Sequence, residues 1–119
     1  MSENFFEVKS PLGKLIVCST ATWENHIKTG HQIMSGNADK VIETLQDPLI
    51  VYESNENASR DVYFGISTYT ISDKHAAELF TKVIVQNESA FSNVVSAWPQ
   101  KEIKGGINEG VIKHVKPKL

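Results

Sequence analysis

This chain of 119 residues contains one cysteine and one arginine, and each scarcity closes off a class of chemistry. Cys18 alone cannot form an internal disulfide, so the core must hold the domain together. At this length roughly two-thirds of the unfolded surface can be buried, which is enough without a covalent staple. The cysteine's place in Leu15-Ile16-Val17-Cys18 reads as a buried thiol. No apolar run reaches the roughly 20 residues a transmembrane helix needs, so no membrane association is expected. The opening Met1-Ser2-Glu3-Asn4-Phe5-Phe6 lacks the basic and long apolar regions of a signal peptide. A cytoplasmic location is the expectation. A glycine-rich phosphate loop, a CxxC pair and an HExxH motif are all missing. His26 and His31 are five positions apart, a spacing that does not align on one helix face. Neither a metal nor a cofactor is therefore expected. The nucleophile-elbow glycine pattern of serine hydrolases is also missing. Net charge is only −2, and from Lys101 onward five lysines stand against Glu102 and Glu109. The remainder is acidic, which argues against broad affinity for nucleic-acid phosphates.

What is present divides by periodicity. Phe5 to Lys9 and Lys14 to Ser19 are strand-like runs around the turn Pro11-Leu12-Gly13, a hairpin pattern. Thr20 can cap a helix from Ala21 to Thr29, with Trp23 and Ile27 spaced i, i+4 and Gly30 at its end. Asn37 can cap a second helix, Ala38 to Gln46, burying Val41, Ile42 and Leu45 before Asp47-Pro48 stops it. Leu49 to Tyr52, Asp61 to Ile71, Leu79 to Gln86 and Ala90 to Trp98 then read as strands, with Pro99 ending the last and Asp73 to Phe80 an alternative helical turn. The expected class is α+β: an N-terminal hairpin and two helices packed on an antiparallel sheet of about four strands. Residues 1–104 form the domain in this reading, and 105–119 a basic C-terminal tail.

With metal and nucleophile motifs missing, metal-free acid–base chemistry remains. Histidine titrates near neutrality, and His26 lies one helical turn from the apolar anchor Trp23. A base that takes a 2′-hydroxyl proton, an acid for the leaving oxygen and cations for the phosphorane suffice to cleave RNA. Arg60, the single arginine, suits a bidentate phosphate contact. Lys82 interrupts the apolar run Leu79 to Val85, on the face opposite Val83 and Val85. Ser96, inside Val94-Val95-Ser96-Ala97-Trp98, offers a hydroxyl to a phosphate oxygen. Each also has a plain structural reading: a hydrogen-bonded histidine, a surface ion pair, a solvated lysine and a hydroxyl bonded to backbone. Tyr63 and Trp98 offer ring faces for a base, although aromatic residues on strands usually serve packing.

The order of these segments resembles the phage- and bacterium-encoded barnase–EndoU–colicin–RelE-like nucleases. The resemblance rests on Thr22-Trp23-Glu24-Asn25-His26-Ile27 followed by His31, on Val41 to Pro48, and on Val94-Val95-Ser96-Ala97-Trp98-Pro99. It spans residues 15–104 in short motifs, and His31 is followed by Gln32 where the family pattern has proline. It implies a metal-independent ribonuclease, toxin-like or phage-associated, acting on RNA such as tRNA and opposed by an antitoxin or immunity protein. Carried over by position, His26 is the acid–base residue, Arg60 and Lys82 hold the phosphate, and Ser96 is the final-strand hydroxyl. His31, Tyr63 and Trp98 contact substrate. The alternative is a non-catalytic protein-interaction module of a phage or toxin system on the same fold. The two readings separate on whether His26, Arg60, Lys82 and Ser96 converge on one concave face.

Overall fold

The computed structural model describes residues 4–30, 34–54, 59–66, 80–100 and 112–116. Strands β1 (Asn4–Lys9) and β2 (Leu15–Ser19) form the expected antiparallel hairpin. Its turn closes when the Ser10 N–H donates to Lys14 O at 2.9 Å and the Gly13 N–H to Ser10 O at 2.9 Å. Gly13 takes φ +78°, a left-handed value that disfavours any side chain. A bulge between Asn4 and Phe6 breaks strict alternation, leaving Phe5 stacked on Trp23 at 5.1 Å while Phe6 packs on the same core.

A helical segment, α1, follows directly as three consecutive pieces: Thr20–Thr22, a π-helical turn Trp23–Ile27, and Lys28–Gly30. Its N-cap is Ser19 rather than Thr20, with Ser19 Oγ accepting from the Thr22 N–H at 3.0 Å. Trp23 and Ile27 are buried. The second helix, α2 (Ala38–Gln46), buries Val41, Thr44 and Leu45, and Asn37 sits at its N-cap position without a side-chain capping bond.

Strands β3 (Ile50–Glu53), β4 (Arg60–Ile66), β5 (Phe80–Asn87), β6 (Ser92–Gln100) and β7 (Ile112–Val115) complete the described elements. All seven strands lie in one sheet of order β1-β2-β6-β5-β4-β3-β7. Pairing is antiparallel except between β2 and β6, which run parallel over only two residue pairs, Ile16 with Ser92 and Val17 with Asn93.

The architecture therefore differs from the one expected. The structure is mostly sheet: a seven-strand mixed sheet with two short helices among the described residues, in place of two helices on about four antiparallel strands. The hairpin is not a separate layer, because β2 docks its open edge on β6 and becomes part of the sheet. Ile112–Val115, in the segment read as a basic tail, pairs with β3. Pro99 does not end its strand either. β2 pairs with β6 only at Ser92 and Asn93, so at Pro99 the strand has β5 on one side and, among the described residues, no strand on the other, where a missing N–H is tolerated. Asp61–Ile71 is a strand as far as Ile66; 67–71 and the alternative helical turn through 79 lie outside the described residues.

Both helices cover one face of the sheet. The main core lies there, with Ile16, Cys18, Val51, Tyr63, Val83, Val85, Val94 and Ala97 from the strands meeting Trp23, Ile27, Val41 and Leu45 from the helices. The far face carries a smaller cluster, Ile50, Tyr52, Val62 and Phe64, with Phe80 and Ile84 packed against it. The period-two alternation of β5 assigns its side chains: Thr81, Val83 and Val85 are buried toward the helices, and Phe80, Lys82, Ile84 and Gln86 are half-buried on the far face.

Candidate functional site

Three of the four proposed catalytic residues lie on neighbouring strands of the far face. Arg60 begins β4 opposite Gln86, and its Nε donates to Gln86 Oε1 at 2.9 Å. Gln86 in turn donates from Nε2 to Ser59 Oγ at 2.7 Å. Lys82 pairs across β4 and β6 with Phe64 and Trp98. Its Nζ stands 5.7 Å from the Phe64 ring centre and 5.0 Å from that of Trp98, within cation–π range of both. Ser96 is half-buried opposite Ile84, two residues from Trp98 and next to the bulge in the β5–β6 ladder. Alternation alone explains the shared face of Arg60, Lys82, Ser96 and Trp98.

His26 is elsewhere. It is exposed on the π-helical turn of α1, whose inner side chains, Trp23 and Ile27, belong to the core on the opposite face. The sheet stands between His26 and the other three side chains. Acid–base attack at one phosphate requires contact within about 3 Å, and this arrangement does not bring the four residues to one center. His31 lies outside the described residues. Tyr63 points into the main core and is fully buried, so its ring offers no face to a substrate. Among the described residues its hydroxyl finds no hydrogen-bond partner of ordinary geometry. Burial pushes its pKa up to about 12, the neighbouring Ser10 side chain working against the rise and the Asp61 charge adding to it. Among the described residues no three histidine, cysteine or acidic side chains cluster as a metal site would require.

Two features escape a reading by sequence. The first is a groove of about 440 Å3 on the far face, where β1, β2 and β6 meet. Leu15, Val17, Ala90 and Phe91 supply its apolar surface, and Asn4, Glu7, Ser19 and Asn93 its polar rim. Leu15 is 43% exposed and Phe91 37%, large apolar groups left in water at one place. Leu15 belongs to the apolar run Leu15-Ile16-Val17-Cys18, in which the thiol alone reads as buried. The short β2–β6 junction is what leaves this side uncovered.

The second is a buried polar network at Asp61, a residue with no exposed surface. Lys113 Nζ donates to its Oδ1 at 2.7 Å and Asn87 Nδ2 to its Oδ2 at 3.1 Å. Ser92 Oγ donates to Asn87 Oδ1 at 2.6 Å. The partners come from β4, β5, β6 and β7, so no local pattern announces them; an aspartate inside the strand Arg60-Asp61-Val62-Tyr63-Phe64 is the one visible trace. Compared with models of known protein families, with curated proteins and with solved structures, the chain matches none of them.

Proposed function

We propose that this chain is a non-catalytic interaction module that binds a protein partner through the groove over β1, β2 and β6. The observation that carries the reading is the position of His26, on the helical side of the sheet, while Arg60, Lys82 and Ser96 occupy the far side. A ribonuclease working through these residues needs them around one phosphate. The groove supplies what a partner surface needs instead: exposed apolar anchors within a polar rim. Glu7 is the charged residue of its lining, and Lys9 stands opposite Leu15 outside it. The complementary partner segment thus inserts an aliphatic or aromatic side chain between Leu15 and Phe91 and brings a lysine or arginine to Glu7.

A library of extended peptides selected on the full chain tests this reading. Enriched peptides should pair an apolar anchor with a nearby basic residue, and Leu15→Glu should weaken them by about tenfold or more, as loss of a central anchor does. Peptides that bind the Leu15→Glu chain equally well would overturn the groove. Total RNA incubated with the protein in chelator should stay intact. Cleavage that disappears in a His26→Ala variant would restore the ribonuclease.

A further inference from the structure

We propose that β7 is a replaceable edge strand, and that the β3 edge beneath it is a docking site for an extended segment of a partner protein carrying a lysine where Lys113 stands. This site is on the opposite side of the sheet order from the groove and does not depend on it.

The two paired strands are unequally committed to the fold. In β3, Ile50, Val51 and Tyr52 are all buried in the two clusters. In β7, Ile112 is 45% exposed and Val115 58%, so the strand contributes little apolar burial. Among the described residues it is held by its ladder to β3, which contains a register shift between Val51 and Tyr52, by the Lys116 N–H donating to Leu49 O at 2.8 Å, and by two lysines. An element with few buried apolar contacts opens at a free energy below that of global unfolding. Its departure bares a row of β3 backbone donors and acceptors, a template for strand addition.

Backbone pairing accepts any extended chain, and the choice among chains falls to the lysines. Lys116 Nζ meets Asp47 Oδ2 at 2.7 Å, with both side chains substantially exposed, a pair that contributes little. Lys113 Nζ meets Asp61 Oδ1 at 2.7 Å, and this carboxylate has no exposed surface. With Lys113 gone, Asn87 is the hydrogen-bond donor left to it among the described residues, a neutral amide beside a buried charge. Leaving a buried charge without its counter-ion is strongly destabilising. The β3 edge therefore rejects strands without a cation at this position and accepts one that supplies it.

The test uses the full chain and a fluorescent peptide reproducing residues 111–117. The peptide is expected to bind, and to bind about tenfold tighter to the Lys113→Met chain, whose own strand is weakened. A peptide with methionine in place of the lysine should bind about tenfold weaker than the lysine peptide, and Asp61→Asn should erase that difference. Val115→Gly lowers the strand propensity of β7 without touching Asp61 and serves if Lys113→Met does not fold. Hydrogen exchange adds an independent readout: β7 amides should exchange faster than those of β4 and β5. Equal protection of β7 and β5, or no peptide binding to any variant, overturns the proposal. So does a dimer that grows with concentration and excludes the peptide, since a second copy's β7 would then be the occupant.

Discussion

Tyr63 shows how one atom can oppose the rest of its residue. The ring fills the centre of the main core, where β4 faces the helices, and contributes apolar burial of the kind that dominates folding. The hydroxyl at its tip has left water without gaining a hydrogen bond of ordinary geometry. An unsatisfied buried polar group costs about 1–3 kcal/mol. Tyr63→Phe keeps the ring and removes the liability, so the variant should be more stable than the parent by about 1 kcal/mol, read as a higher urea midpoint at unchanged slope. A loss of stability would mean that the hydroxyl has a partner that matters, with Ser10 the candidate. Arg60 makes the converse point. Its guanidinium was the natural phosphate ligand of the sequence, yet its Nε is committed to Gln86 on the adjacent strand. Arg60→Ala should therefore cost cross-strand stability, by about 0.5–1 kcal/mol.

Elements were legible where their signals are local. The hairpin, α2 from Ala38 to Gln46 and the strands around Val51, Tyr63, Val83 and Ala97 follow from turn residues and from periods of 2 or 3.6. Their assembly was not. The parallel β2–β6 contact joins residues some 75 positions apart through two pairs, and no pattern in Leu15 to Ser19 encodes its partner. β7 is four residues with two exposed apolar side chains, too short and too polar to stand out. The candidate site divided along the same line. Alternation along strands placed Lys82 and Ser96 on one face, whereas the side of the sheet that His26 occupies depends on which face the helices cover. That choice is made by Trp23, Ile27, Val41 and Leu45 together. One element contact sharpens the point. A Cβ built on Gly65 would lie 2.6 Å from Thr44 Oγ1 and 3.1 Å from Thr44 Cα, so α2 approaches β4 through the absence of a side chain. Gly65→Ala must push the helix backbone away and should destabilise the fold by about 1–3 kcal/mol, the usual cost of overpacking. Thr44→Ala removes the Oγ1 contact but keeps Cα and Cβ at 3.1 Å, so it should rescue the variant only in part. Full rescue would place the strain in the threonine hydroxyl alone.

For the molecule as a whole, the two acids shifted upward among the described residues lie in the same core, and both give it an alkaline weakness. Burial pushes the Cys18 thiol from 9.0 up to about 12 and the Tyr63 phenol from 10.0 up to about 12. In each case the folded chain holds a proton that the unfolded chain has already released over the window between the two values. The stability present below pH 9 is therefore lost as pH rises, first through the thiol and then, from about 10, through the phenol as well. Each group contributes a slope of at most about 1.4 kcal/mol per pH unit inside its window. Urea midpoints should fall steadily between pH 8.5 and 10.5. In Cys18→Ala the fall should begin about one unit higher, leaving the phenol's share, and in Tyr63→Phe the thiol's share should remain. The same burial keeps Cys18 from reacting: its thiolate is both disfavoured and covered. Labelling by a neutral-pH thiol reagent should thus proceed only through opening of the core, and should speed up with urea in step with unfolding. Rapid labelling of the native chain, or a flat midpoint between pH 8.5 and 10.5, would mean that water reaches the space between β2 and the helices.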